Sequence, residues 1–208
     1  MRKGSASVAK LAPLSPLAAV AVPGRYGQAT GGMPPVALKE RRGLKLCIIA
    51  ALSGQEPAVE EIFRKITGLE LPQGPQRVVA KGLVLIRTAP AQWLAIAEDE
   101  SSRQTLDALA NALAGHAAIT EQSDSKAVIR ISGVRARDVL AKGCSLDLHP
   151  RLFKPGDAAT TAIALIDCQL WQIDDVPSYD LAVPSSFAES FWSWLAASAA
   201  EYGYVVET

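Results

Sequence analysis

The chain has 208 residues, enough for one large domain or two small, closely packed ones with a substantial core. Its 21 Lys and Arg cancel its 21 Asp and Glu, and the isoelectric point is near 6.7, which removes the electrostatic case for a dedicated nucleic-acid or membrane-surface binder. A mean hydropathy of +0.15, four Trp and no net charge make a sticky monomer, so part of the surface is expected to be covered by another chain.

Residues 1–42 open with Arg2, Lys3 and an apolar stretch over 11–22 that imitates a secretory signal, but Pro13 and Pro16 interrupt it. Five prolines and the loop Gly24-Arg25-Tyr26-Gly27 leave no sustained periodicity. The segment reads as an extended arm. Leu11, Leu14 and Leu17 make it too apolar for a free linker, so it is expected to lie along the body or a neighbour. The body is 43–208, in two halves, 43–122 and 123–208.

In the first half the apolar run 44–52 predicts a buried strand, and 55–67 a helix with Val59, Ile62, Phe63 and Ile66 inward and Gly68 as its stop. Strands follow at 81–87 and 93–97 across the turn Thr88-Ala89-Pro90, then a helix over 102–114 with Leu106, Leu109, Ala110 and Leu113 inward, then a strand at 117–121. The order is βαββαβ. A similar order recurs in the second half: a strand at 127–131, a short helix at 134–141, and an apolar stretch over 158–173 that turns around 167–169. A strand at 179–183, a helix over 185–202 and a strand at 204–206 complete it. The prediction is an α+β body of two ferredoxin-like halves packed together, with helices on one face of each antiparallel sheet.

The last helix carries the strongest local signals. Ser186 and Glu189 have capping-box spacing, Gly203 suits a left-handed stop, and Phe187, Phe191, Trp194, Leu195, Ala199 and Tyr202 share one stripe. Trp192 lies at the stripe's margin, half-covered core or an anchor for a partner.

Chemistry is sparse. The apolar runs are far shorter than the roughly 20 residues of a spanning helix. Cys47, Cys144 and Cys168 form no C-x-x-C pair, and read as reduced cysteines of a cytoplasmic protein. There is no phosphate-loop or dinucleotide fingerprint. His116 and His149 are isolated; Cys144 with His149 is read as structural, since spacing alone brings no pair together. Ser123 and Lys126 match S-x-x-K, a common tetrapeptide read as a polar strand entry. Arg135, Arg137 and Asp138 are either an anion grip or a solvated helix face. Asp174, Asp175 and Tyr179 flank Val176-Pro177-Ser178, a turn by default and a partner-facing loop in the functional reading. No catalytic, cofactor-binding or metal residue is expected; the candidate partner-interface residues are Trp192, Tyr179 and Tyr26.

Three stretches carry a resemblance when taken together: residues 133–140 (GVRARDVL), residues 142–153 (KGCSLDLHPRLF), and residues 186–195 (SFAESFWSWL) with Glu201-Tyr202-Gly203-Tyr204. They resemble the gamma subunit of heterotetrameric sarcosine oxidase over about residues 126–206, and Ser15-Pro16-Leu17 with Pro23-Gly24-Arg25-Tyr26 is similar to that family's arm. The resemblance implies a fold like the folate domain of aminomethyltransferases and a structural, non-catalytic chain. Its complex would oxidatively demethylate sarcosine to glycine, producing hydrogen peroxide and passing the one-carbon unit to tetrahydrofolate. It further implies alpha, beta and delta partner subunits, with FAD, FMN, NAD, tetrahydrofolate and zinc held by those partners. In relatives an arginine often precedes the Ser-Phe/Tyr-Ala of the last helix; here that place is Ser185, which lacks any ion pair such an arginine makes. The competing reading is a free-standing folate-binding or aminomethyltransferase-like protein. Against it, the chain ends after two lobes, with nothing to form the further domain that completes a folate pocket in those enzymes.

Overall fold

The structure is a computed structural model that describes residues 15–29 and 31–208. Expectations for Leu11, Leu14 and the apparent leader lie outside the described residues, apart from its end.

The first half builds a five-stranded antiparallel sheet from β3 (Lys45–Ala51), β4 (Arg77–Ala80), β5 (Leu83–Ala89), β6 (Gln92–Ala97) and β7 (Ala117–Glu121), ordered β4-β5-β6-β3-β7. Helices α1 (Glu56–Thr67) and α2 (Glu100–Ala112) connect its strands. Without β4 the order is that of a ferredoxin-like sheet; β4, which the sequence reading missed, adds an edge strand. Helix α1 stops at Gly68, left-handed at φ 78°, where the cap N–H reaches Arg64 O, a conformation that glycine adopts without a Cβ penalty.

The second half is the same scheme with an insertion. Its strands are β8 (Lys126–Ser132), β9 (Ala158–Ile163), β10 (Ile166–Asp174), β11 (Ser178–Pro184) and β12 (Tyr204–Glu207), with helices α3 (Ala136–Ala141) and α4 (Ala188–Ala199). Two strands of the segment read as an arm join them: β1 (Gly24–Tyr26) pairs with β12, and β2 (Val36–Glu40) lies between β12 and β8. The seven-stranded order is β1-β12-β2-β8-β11-β10-β9. Residues 24–26 and 36–40 of that segment are therefore part of the sheet and not an appendage. Leu17 is fully buried beneath it. Close backbone approach holds this arrangement: a Cβ on Gly133, at φ 106°, would stand 2.3 Å from Pro35 O.

Strand alternation divides the apolar side chains into three layers, because successive residues point to opposite faces. Cys47, Ile49, Leu83, Leu85, Trp93 and Ala95 pack against α1 and α2. Ile129, Ile131, Leu170, Leu181 and Val183 pack against α3 and α4. The opposite faces meet each other: Leu46, Val84, Ile86, Leu94 and Ile96 of the first sheet against Val128, Trp171 and Ala182 of the second. The body is a four-layer α–β–β–α sandwich, helices outside.

Ionic contacts accompany this inner layer. Asp180 on β11, 3% exposed, accepts a fork from Arg130 (2.6 and 2.8 Å) and a third bond from Arg41 (3.0 Å). Arg41 also reaches Glu98 of the first half at 2.8 Å, so one guanidinium ties the two halves. Backbone bonds from Arg77 N to Gly156 O (2.7 Å) and from Ala158 N to Pro75 O (2.8 Å) tie them again.

Two local expectations are corrected. The turn in 158–173 falls at Ala164–Leu165 and not at 167–169; both residues are left-handed (φ 51° and 65°) without the Gly or Asn that normally marks such a turn. Ser186 and Glu189 form no capping box: a 3-10 turn, Ser185–Phe187, precedes α4, and no side chain caps either. The capping box is on α2, where Asp99 accepts from Ser102 N at 2.8 Å and Ser102 Oγ accepts from Asp99 N at 3.0 Å. Gly203 does adopt the expected left-handed geometry, at φ 75°.

Removing one partner from a buried ion pair strands the others. Asp180→Ala is expected to lower stability by about 3 kcal/mol in chemical denaturation, because Arg130 and Arg41 lose their shared acceptor.

Candidate functional site

The residues singled out from the sequence do not converge. Trp192 is 3% exposed and belongs to the core under the seven-stranded sheet; it is not at a surface. The inward face of α4 is Ala188, Phe191, Trp192, Leu195 and Ala199, rotated from the expected stripe. Phe187 lies in the 3-10 turn, outside the helical register, and is 53% exposed, while Trp194 and Tyr202 are half-buried. Both sides of this helix are apolar in sequence, so hydropathy did not decide which side packs. Tyr179 is also fully buried, on β11 and not on the loop, with the Arg137 guanidinium 5.9 Å from its ring centre. Burial raises its hydroxyl pKa. The Val176-Pro177-Ser178 segment is a turn, in which Ser178 Oγ donates to Val176 O. Tyr26 is 39% exposed, stacks on Tyr204 at 5.3 Å and donates to Val22 O.

The other chemistry-bearing side chains serve the fold. His116 Nδ1 lies 2.8 Å from Gln55 Oε1. His149 Nδ1 accepts from Arg151 N, while Cys144 is buried and its thiol pKa is pushed up by that burial, so the two make no thiolate pair. Cys168 is buried too, and desolvation drives its pKa well above the ordinary thiol range. Arg135 pairs with Asp138 at 2.8 Å and stacks over Tyr202, and Arg137 donates to Leu148 O. They grip no free anion position. Ser123 Oγ accepts from Leu46 N and donates to Glu121, so it is not poised against Lys126. Among the described residues, no three His, Cys, Asp or Glu side chains gather as a metal site.

A cleft of about 610 Å³ lies among the described residues at the junction of the halves, where the chain leaves β2 for β3 and where β7 passes to β8. Ser15 and Pro16 line one part and Ser185 another. Its charged lining is Arg41, Arg42, Lys45, Arg103 and Lys126 against Glu40, Glu121 and Asp124. Three of the cations are occupied: Arg41 by Asp180 and Glu98, Arg42 by Glu40 at 2.6 Å, and Lys45 by Asp107 at 2.8 Å. Arg103 donates to Gly43 O, but its Nε is buried without an acceptor. Lys126 is half-buried, and its ammonium has no ion-pair or hydrogen-bond partner among the described residues; desolvation pulls its amine pKa down. In the sequence Lys126 stands out only as part of S-x-x-K. Nothing in the sequence marked the cleft, because it is assembled from segments far apart in the chain.

Trp192 tests the corrected register of α4. Trp192→Ala is expected to cost about 3–5 kcal/mol of stability in thermal or urea unfolding, as truncation of a core aromatic does.

Comparison with known proteins gives one consistent result. The chain matches the sarcosine oxidase, gamma subunit family over residues 52–201. The gamma subunit of sarcosine oxidase from Corynebacterium sp. (strain U-96) is 31% identical over 139 residues, 65% of this chain and 66% of that one. A gamma subunit from Arthrobacter sp is 32% identical over 137 residues, with the same coverage. These alignments thus span just under two thirds of the curated relatives. In three dimensions, a chain of the heterotetrameric sarcosine oxidase from Corynebacterium sp. U-96, in complex with pyrrole 2-carboxylate, superposes with a TM-score of 0.77 at 26% identity, over 91% of this chain and 96% of that one. The glycine cleavage system aminomethyltransferase T from Bartonella henselae superposes with a TM-score of 0.60 at 14% identity, over 81% of this chain and 50% of that one, a likeness of fold. The chain belongs to the sarcosine oxidase gamma subunit family.

Proposed function

We propose that this chain is the non-catalytic gamma subunit of a heterotetrameric sarcosine oxidase. The observation that carries the reading is the superposition over nearly all of both chains, with the family match behind it. Its partners are alpha, beta and delta subunits, which hold FAD, FMN, NAD, tetrahydrofolate and zinc between them. The complex converts sarcosine, tetrahydrofolate and oxygen into glycine, methylenetetrahydrofolate and hydrogen peroxide. Flavin held by the partner subunits would carry the electrons from sarcosine to oxygen, and tetrahydrofolate would accept the one-carbon unit.

In this scheme the gamma chain supplies a folded surface and no reacting group. The use of its histidines, cysteines and arginines in structural contacts supports that role. Tyr26, half-exposed beside Tyr204, is retained as a partner-contact residue. Three buried free cysteines suit a reducing cytoplasm, and among the described residues no helix is long and apolar enough to cross a membrane. A free-standing aminomethyltransferase-like role is less well supported, since that likeness is one of fold at 14% identity.

Co-expression of a tagged form with the candidate flavin-bearing subunits provides the test. The expected product is a flavin-coloured assembly that makes peroxide from sarcosine, while the isolated chain shows neither peroxide production nor saturable tetrahydrofolate binding in calorimetry. Purification of the chain free of the flavin subunits would contradict the proposal, as would saturable folate binding by the chain alone.

A further inference from the structure

One end of the seven-stranded sheet combines features for which the fold of the isolated chain gives no reason. Leu165, at the tip of the β9–β10 hairpin, is 99% exposed and left-handed at φ 65°. A branched apolar side chain in that conformation is strained, by roughly 1–3 kcal/mol for non-glycine residues in general, and here the strain gains no burial. The β10–β11 register, with Gln169 opposite Ala182, brings this tip to the end of the sheet where the 3-10 turn begins. That turn exposes Phe187. Trp194, half-buried, lies near the base of the hairpin tip: it tilts against Phe191 at 5.7 Å, and a Cβ on Gly143 would lie 2.5 Å from Trp194 and 3.2 Å from Ala164 N. Gly143 O also accepts from Ala164 N at 3.1 Å.

Phe187 stands close in the chain to the basic cleft. Ser185 lines the cleft, is fixed by bonds to Asp124 O and Ser125 O, and stands two residues before Phe187. Lys126 pairs with Pro184 in the sheet and lines the same cleft; among the described residues its ammonium has no ion-pair or hydrogen-bond partner, and the longer-range field of Asp167, two residues from Leu165, acts on it. Leaving a half-buried cation unpaired is unfavourable in the free chain and favourable for whatever brings a carboxylate.

We propose that this face, with the Lys126 cleft at its centre and Phe187 and Leu165 on its rim, is the docking surface for a segment of a partner oxidase subunit that carries a carboxylate flanked by apolar side chains. The carboxylate pairs with Lys126 and comes within reach of Arg103, and the apolar side chains cover Phe187 and Leu165. This inference rests on the subunit reading above. It replaces buried Trp192 with Phe187 as the aromatic anchor of the last helix region.

Leu165→Asn separates folding from docking. Asparagine tolerates the left-handed conformation, so the variant is expected to stabilise the free chain while weakening assembly. Lys126→Glu, Phe187→Ser and Leu165→Asn are compared with wild type and with Leu152→Ser, an exposed substitution elsewhere, by co-purification and by titration of the full chain into gamma-depleted complex. Each of the three is expected to raise the apparent Kd about tenfold, in the range of one desolvated charge or anchor residue, and Lys126→Glu should also flatten its salt dependence. If wild type assembles and the three variants match Leu152→Ser, this face is refuted and the subunit reading stands; failure of wild type itself to assemble overturns both. Saturable, Lys126-dependent binding of benzoate by the assembled complex would assign the cleft to a small anion and would also refute the proposal.

Discussion

The layer of side chains between the two sheets is the contact on which the rest of the structure depends. Each ferredoxin-like half covers one face of its sheet with its own helices and leaves the other apolar. Trp171, Ile86, Leu94 and Ile96 are at most 2% exposed only because the other half lies over them. Burying such a side chain is worth about 1.5–3 kcal/mol, so neither sheet is well satisfied alone. The Arg41 bridge between Asp180 and Glu98 adds direction to a contact that hydrophobic burial leaves non-directional. Because the halves are held together at this layer, the cleft at their junction has a fixed shape.

Elements with strong periodicity or clear punctuation were legible in the sequence. Helix α1 and strand β7 fall within a residue of expectation, and Gly68 and Gly203 mark stops for physical reasons specific to glycine. What escaped had a cause in each case. Strands β1 and β2 are short pieces separated by prolines and glycines, and only the tertiary pairing with β12 and β8 makes them strands. The Ala164–Leu165 turn has no turn residue to announce it. The inward face of α4 was misplaced because Phe187 precedes the helix and because apolar residues surround the axis, so the small Ala188 and not an aromatic begins the packed face.

The candidate site shows the same limit more sharply. Its charged and aromatic residues were all visible in the sequence, and their grouping was not. Lys126, Arg103 and Ser185 are brought to one cleft by the crossing between halves, which no local pattern encodes. The residues that looked most chemical, among them His116, Cys168 and Arg137, are committed to hydrogen bonds and core packing.

If the inter-sheet layer governs the fold, the halves cannot melt independently. Scanning calorimetry of the full chain measures this directly. The account predicts a single transition whose calorimetric and van't Hoff enthalpies agree, reporting one cooperative unit. Two resolved transitions, or a calorimetric enthalpy well above the van't Hoff value, would contradict it and reduce the shared layer to a contact between two self-sufficient domains.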